Sequence, residues 1–425
     1  MAGRGYLSEY FAGAGAKVLR GTEVDPAVSR GHEFQGVDAF RVFLGTPAGK
    51  ERVPVTYIWM DDEQEEPDLL ELHGTWYDSR RGKGHRGPEY RLYYPAAVES
   101  VVHRARDGDT LFLCMTAERR VLAILCPSGS STEQKLLWLF GLSLTDDYEL
   151  TQRALPADGG RDMDLAARFI LGELGIEPEE PEPDALGRLV DRFGLNFPGT
   201  AEFSAFARKT LKDVDPRDDP DAALISWMEH EEALFRSLER RIVAGRLSEG
   251  FMDGEAVDVE GFLSFSLSVQ NRRKSRAGWA FGHHVEAILK ARGVQYRREA
   301  TTEKRNAADF LFPGEAEYNS LAFPPESLTM LAVKTSCKDR WRQVLAEADR
   351  ISPKHLLTLE PAISEAQTNE MQTSHLQLVL PAALHETYRE TQRRWLMDLE
   401  DFLGMIDEKA IGGVSSTLGY QIPSR

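Results

Sequence analysis

The stretch 329-TMLAVKTSCKDRWRQVLAEADRI-351 begins as an apolar run and ends crowded with charge. Residues 329–336 have the length and composition of a buried strand. Lys334 interrupts that run, where a bare ammonium is costly. From Asp339 the spacing predicts a helix. Arg340, Gln343, Val344, Glu347 and Ile351 recur at helical intervals, and Trp341, Val344, Leu345 and Ala348 can pack a core. On such a helix Glu347 shares a face with Arg340, thirteen residues after Lys334, and its carboxylate can return toward the strand end.

Working outward, strand-like and helical segments alternate. A helix is expected over 277–293, stopped by Gly293, with strands near 295–299 and 308–312 before the central stretch. Further strands follow at 355–360 and 375–381, then a helix over 384–406. This alternation predicts a mixed α/β sheet covered by helices. Upstream, 222-AALISWMEHEEALFRSLERRIVAGRL-247 is a helix whose apolar positions recur at helical spacing. The segment 176-IEPEEPEPDALG-187 has three prolines and many acids, cannot bury apolar surface, and reads as a linker. It divides residues 1–175 from residues 188–425. The first part reads mostly as strands and turns, at 38–46, 53–60, 90–95, 110–116 and 120–127, with a short helix at 132–141: a small α+β or barrel-like domain.

Composition bounds the function. The 425 residues are 42% hydrophobic and 28% charged, ordinary for a globular protein. No apolar run approaches membrane-spanning length and no signal-peptide order is evident, so no membrane role and a cytoplasmic location are expected. Three cysteines form neither a disulfide framework nor a paired zinc site. The net charge of −17 argues against nucleic-acid binding as a whole, but its layout is uneven. Residues 272–306 hold ten Lys/Arg against three Asp/Glu, and residues 72–106 hold seven against three. Two basic windows in an acidic chain fit a channel for a polyanion and fit chance clustering on solvated faces equally well.

Asp309, Lys334 and Glu347 supply what phosphodiester hydrolysis needs: hard oxygen ligands for a divalent cation and a cation beside the attacking water. Spacing alone also fits a lysine that snorkels out of its strand and a glutamate paired with a surface arginine. Likewise Lys338-Asp339-Arg340 fits base reading in a major groove and fits simple N-capping by Asp339.

The segments 271-NRRKSRAG-278, 309-DFLFPG-314, 332-AVKTSCKDRWRQVLAEADRI-351 and 354-KHLLTLE-360 resemble the catalytic domain of EcoRII-type restriction endonucleases, a branch of the PD-(D/E)XK nucleases. In that branch a glutamate after the lysine replaces the usual second acid. Here Ala332 stands at the acid's position and Glu347 follows, while Ala308 replaces the proline that names the superfamily. The stretch 74-GTWYDSRRGKGHRGPEYRLYYP-95, read as a mobile basic loop, and 131-STEQKLLWLFG-141 resemble the N-terminal effector domain of the same enzymes, a DNA-binding pseudobarrel.

The resemblance implies two domains, α/β and α+β: the pseudobarrel, and a restriction-endonuclease-like mixed sheet flanked by helices. It implies a Mg²⁺-dependent type II site-specific deoxyribonuclease, a homodimer on double-stranded DNA, cutting a CCWGG-like or CCNGG-like site and regulated by effector-domain binding to a second site copy. A cognate DNA methyltransferase is expected in the same system. Asp309 and Glu347 would hold the metal and Lys334 the water. An upstream acid is expected at Glu286, although relatives place it one turn earlier, where this chain has Gly282. His283 and His284 are structural or DNA-facing. Lys338, Asp339 and Arg340 would read bases, and Arg272, Arg273, Lys274 and Arg276 would clamp phosphates. Tyr77, Arg80, Arg81, Lys83, His85, Arg86 and Glu89 are the effector-domain DNA contacts. The competing readings are a DNA-binding regulator without catalysis and a structure-specific repair nuclease.

Overall fold

A computed structural model describes the chain except residues 1–5, 36–39, 65–66, 84–85, 144–150, 155–162, 179–182, 184, 255, 304–305, 339 and 418–425. It divides into two compact units. The first comprises Met1–Pro178, Pro361–Thr368 and Thr387–Arg389, and the second the remainder.

The first unit holds strands β1 (Phe11–Val18), β2 (Glu33–Phe34), β3 (Glu51–Trp59), β4 (Asp68–Asp78), β5 (Tyr90–Tyr93), β6 (Thr110–Thr116), β7 (Val121–Cys126) and β8 (Thr151–Ala154). They form one sheet in the order β2-β5-β4-β3-β7-β6-β1-β8, curled into a half-barrel. Among the described residues of this sheet, only β3 and β7 pair in parallel. Short helices α1 (Gly21–Val24), α2 (Arg41–Leu44) and α3 (Glu99–Val102), and longer α4 (Ser131–Phe140) and α5 (Leu165–Glu173), complete it.

Strands β6 and β7 read as continuous apolar runs because both of their faces are buried. Leu111, Leu113, Val121, Ala123 and Leu125 enter one core with Trp76 and Tyr57. Phe112, Cys114, Leu122, Ile124 and Cys126 enter another with Leu136, Phe140 and Ile170. Cys114, Cys126 and Cys337 are buried and not joined in disulfides.

Two expectations change here. The strand expected over 38–46 contains helix α2, because Phe40 and Leu44, four residues apart, are buried together while Arg41 and Val42 face solvent. Gly45, at φ +82, then turns the chain. No strand is expected over β1, yet it is an interior strand that pairs with β6 on one side and β8 on the other.

The second unit holds helices α6 (Leu186–Phe193), α7 (Thr200–Thr210), α8 (Pro220–Glu249) and α9 (Val259–Ala291), with the hairpin β9 (Met252–Asp253) and β10 (Ala256–Val257) between the last two. A five-stranded sheet follows in the order β11-β12-β13-β14-β15. Its strands are β11 (Arg297–Thr301), β12 (Ala307–Phe312), β13 (Thr329–Lys334), β14 (Lys354–Thr358) and β15 (Leu376–Val379). β11, β12 and β13 are antiparallel neighbours, and β13, β14 and β15 run parallel. Helices α10 (Glu315–Asn319), α11 (Arg340–Val344), α12 (Glu365–Thr373), α13 (Glu390–Arg393) and α14 (Leu399–Thr417) lie along the connections.

The single helix expected over 384–406 is broken. Met397 is drawn to the sheet edge, donating its amide to Leu378 at 3.2 Å and accepting from Leu380 at 3.0 Å. The chain restarts as α14, whose first amides are taken by Asp398 and by the buried carboxylate of Asp221.

His355 on β14 is 1% exposed and lies against the Phe402 ring. Burial, reinforced by Lys409, pushes its imidazole down to about 4. The unfolded chain takes up that proton near pH 6.5, so stability is full above about pH 6.5 and falls as pH drops toward 4. A loss of about 2 kcal/mol between pH 7 and pH 5 is expected. Urea unfolding at both values should show it, and His355→Leu should flatten the dependence. An unchanged slope in the variant would remove His355 as its source.

Candidate active site

β12 and β13 pair only from Phe310–Leu331 to Phe312–Thr329, so the strands part beyond that point. Asp309 fills the gap. Its Oδ2 accepts the Val333 amide at 2.8 Å and the Lys334 ammonium at 2.7 Å. Strand alternation explains the match: Asp309 continues the register opposite Ala332, on the face that Lys334 also uses. Lys334 is thus neither stranded in the core nor snorkelling alone. It sits half-buried at the open end of β13 against a carboxylate.

Glu347 reaches the same place by a route the sequence did not indicate. α11 ends at Val344, so Glu347 lies in the turn beyond it and shares no helix face with Arg340. The chain beyond Val344 is held in a turn by contacts from outside it. Lys354 donates to the carbonyls of Leu345 at 3.0 Å, Ala348 at 3.4 Å and, more closely, Glu347. Ala348 then adopts φ +49, and the turn is pinned by the Asn306 amide on the Ala346 carbonyl at 2.7 Å. Burial, aided by the Asp309 charge, raises the Glu347 carboxyl to about 7, with Lys334 and Lys354 acting the other way.

The donor set fits a hard divalent cation. Glu347 Oε2 is buried without a hydrogen-bond partner, a condition that a cation would relieve. Among the described residues no three His, Cys, Asp or Glu side chains converge on one point. Mg²⁺ needs only one or two carboxylates when water and phosphate oxygens supply the rest.

Glu286 is not brought to this pair. Burial opposes its ionisation, but hydrogen bonds from Lys290, Arg298 and Tyr296 outweigh it and hold the carboxyl at about 2. Its partner Arg298 lies opposite Phe310, so it uses the sheet face away from Asp309. His283 bonds Arg298 at 3.0 Å, and burial, with Arg298 second, lowers its pKa. His284 is fully buried beside Glu231.

The expected phosphate clamps are largely spent inside the protein. Arg276 is 6% exposed, with Glu231 at 3.0 Å and Glu232 closer still. Arg273 donates to the buried Glu239 at 2.6 Å. Arg272 stacks over Phe197 at 4.0 Å, and Lys274 is exposed. These glutamates come from α8, some 30 to 45 residues upstream, which a count along the chain cannot see.

Of the three expected base readers, Lys338 adopts φ +25 and Arg340 is exposed at the start of α11; Asp339 lies outside the described residues. The turn that presents them is fixed by Glu360, which is 2% exposed. Its Oε2 accepts the Cys337 amide in a short hydrogen bond and the Lys338 amide at 3.4 Å. Glu360 carried no expected role from the sequence. A carboxylate closing an apolar strand was the available signal.

In the first unit, residues 74–78 belong to β4, so the expected loop shrinks to 79–89. Asp78 staples its two ends by accepting the Arg80 and Glu89 amides, each at 2.9 Å. Tyr77 donates to Glu33; burial, then that bond, raises its pKa to about 12. Arg80 pairs with Glu89 at 2.8 Å, and Arg91 bridges Glu33 and Glu89. Arg81, Lys83 and Arg86 are exposed, and His85 lies outside the described residues.

Comparison with known proteins gives the following. A family model described as "EcoRII C terminal" matches residues 235–403. The type II restriction enzyme EcoRII of Escherichia coli is 39% identical over 277 residues, 65% of this chain and 66% of that protein. The match thus spans just under two thirds of the relative's length. Among solved structures, metal-depleted Ecl18kI in complex with uncleaved DNA aligns with TM-score 0.43 and 18% identity, over 58% of this chain and 88% of that one. The PspGI–substrate DNA complex aligns with TM-score 0.40 and 15% identity, over 50% and 93%. Among the described residues no helix is long and apolar enough to cross a membrane.

Proposed function

From the membership of residues 235–403 in the EcoRII C-terminal family, we propose that this protein is a type II restriction endonuclease. It hydrolyses phosphodiesters of double-stranded DNA with Mg²⁺ at a CCWGG-like or CCNGG-like site. The observation that carries the reading is the meeting of Asp309, Lys334 and Glu347 at the parted ends of β12 and β13.

Asp309 and Glu347 would hold the cation, and the orphaned Glu347 Oε2 would be available to it. When bound, Mg²⁺ supplies positive charge that stabilises the phosphate's developing negative charge. The chain's own groups do the rest. The Val333 amide and the Lys334 ammonium fix the Asp309 carboxylate. Lys334 orients the attacking water and offsets charge near the scissile phosphate. Lys338 and Arg340 reach the base edges, since guanidinium and ammonium donors match guanine O6 and N7. Arg81, Lys83 and Arg86 give the first unit its phosphate contacts, with Tyr77, Arg80 and Glu89 forming the floor of that surface.

Two copies of the chain read the two halves of the site, because each carries one such constellation and a duplex has two strands to cut. The first unit, binding a further copy of the site, regulates cleavage. A cognate methyltransferase protects the host DNA.

Incubation of plasmid DNA with the full chain should give discrete fragments with Mg²⁺ and none with EDTA. Glu347→Gln should lower the cleavage rate at least about 100-fold, with DNA binding retained. Diffuse degradation, or cutting confined to branched DNA, would point instead to a repair nuclease. Binding without any cleavage would point to a regulator.

A further inference from the structure

β14 carries a charged residue at each end. Lys354, its first residue, is 9% exposed, and Glu360, two residues past its last, is 2% exposed. Neither charge meets solvent, and a buried charge survives only where it is held and holds something. Both reach the same segment, the crossover from β13 to β14, but at opposite ends. The Lys354 ammonium gathers the carbonyls of Leu345, Glu347 and Ala348. The Glu360 carboxylate gathers the amides of Cys337 and Lys338. Between them runs α11: the cation holds carbonyls just past its end and the anion holds amides just before its start.

The segments they grip are the ones that matter if the protein is the nuclease proposed above, a reading on which this inference rests. One grip holds the backbone of Glu347, the other the turn that presents Lys338 and Arg340. Asn306 on the Ala346 carbonyl adds to the first grip, and Glu303 holds the Asp349 amide beyond it at 3.2 Å. We infer that Lys354 and Glu360 are positioning residues with separable tasks. Lys354 aims Glu347 at the cation, and Glu360 sets the turn that discriminates sequence. One strand thereby keeps recognition and hydrolysis in fixed register.

The test uses the full-length chain and three readouts: Mn²⁺ binding by calorimetry without DNA, the ratio of affinities for cognate and non-cognate duplexes without metal, and peptide-level hydrogen exchange. Lys354→Met should weaken Mn²⁺ binding at least tenfold, leave the duplex ratio unchanged, and raise exchange over 345–348. Lys354→Arg, which keeps the cation, should recover most of the Mn²⁺ affinity. Glu360→Ala should lower the duplex ratio at least tenfold with Mn²⁺ binding intact, and raise exchange at 337–338. Glu360→Gln, which keeps an acceptor oxygen, should restore the ratio. If either variant shifts both binding readouts together, or raises exchange throughout the unit, the division of tasks is overturned. A wild type inert to Mn²⁺ and indifferent to DNA sequence would sink the nuclease reading. Local exchange confined to each segment would then still support the two clamps, and global exchange would overturn them.

Discussion

Lys334→Ala is expected to abolish cleavage at the level of about a thousandfold or more while leaving DNA binding near wild type. The ammonium lies 2.7 Å from Asp309 and also counters the buried charge of Glu347. Its removal would take away the cation beside the proposed attack site and leave Asp309 and Glu347 without it. The fold should tolerate this, because Lys334 sits half-buried at the strand end and the Val333 amide still holds Asp309. Single-turnover cleavage, an affinity measurement on the same duplex and a melting curve together decide the matter. Cleavage within tenfold of wild type would remove Lys334 from its role. A collapse of the melting transition would assign it to stability instead.

Glu231→Ala is expected to produce the largest loss of stability, about 3–5 kcal/mol. Glu231 is fully buried on α8, and two partners from α9 depend on it. Arg276 donates at 3.0 Å and His284 Nε2 approaches to 2.9 Å. Burial works against the carboxylate, yet His284 and Arg276 outweigh it and keep the carboxyl below its ordinary range. Arg208 faces the other ring nitrogen of His284 at 3.0 Å, which places the imidazole proton on the side of Glu231. Alanine would leave an arginine and a histidine buried and under-satisfied. Replacing the pair by apolar residues, Glu231→Leu with Arg276→Met, should be milder than Glu231→Ala alone. Urea midpoints would show this order; a loss under about 1 kcal/mol for Glu231→Ala would mean that water already reaches the cluster.

What could be read in advance follows from where the information lay. β6, β7, β12 and β13 announce themselves as apolar runs, because strands buried on both faces need no partner residues to be recognised. Asp309 and Lys334 were legible as interruptions at the ends of such runs. Glu347 was legible as a residue but not in its setting, since the turn beyond α11 is held by Lys354, a tertiary contact that local spacing does not contain. Strand β1 was missed because FAGAGAKV has little strand propensity of its own. Gly13 serves close approach: a Cβ there would come within 2.9 Å of the Phe43 ring. The basic window at 272–306 was ambiguous for a similar reason. Arg273 and Arg276 answer glutamates on another helix, and charge counted along the chain reports no such pairing.

The place of β1 has a consequence for how the protein is made. Phe11–Val18 leaves the ribosome well before its hydrogen-bonding partner Thr110–Thr116, and its other edge waits for Thr151–Ala154. At about 5–20 residues per second, some 5–20 s pass before the first of these is synthesised. Throughout that interval the nascent chain carries an unmated segment, with Phe11 exposed, which the finished sheet encloses on both sides. Its small side chains make it a weak template for stray association while it waits. The glycines and alanines that hid this strand from a propensity reading therefore also suit it to a long delay between synthesis and closure.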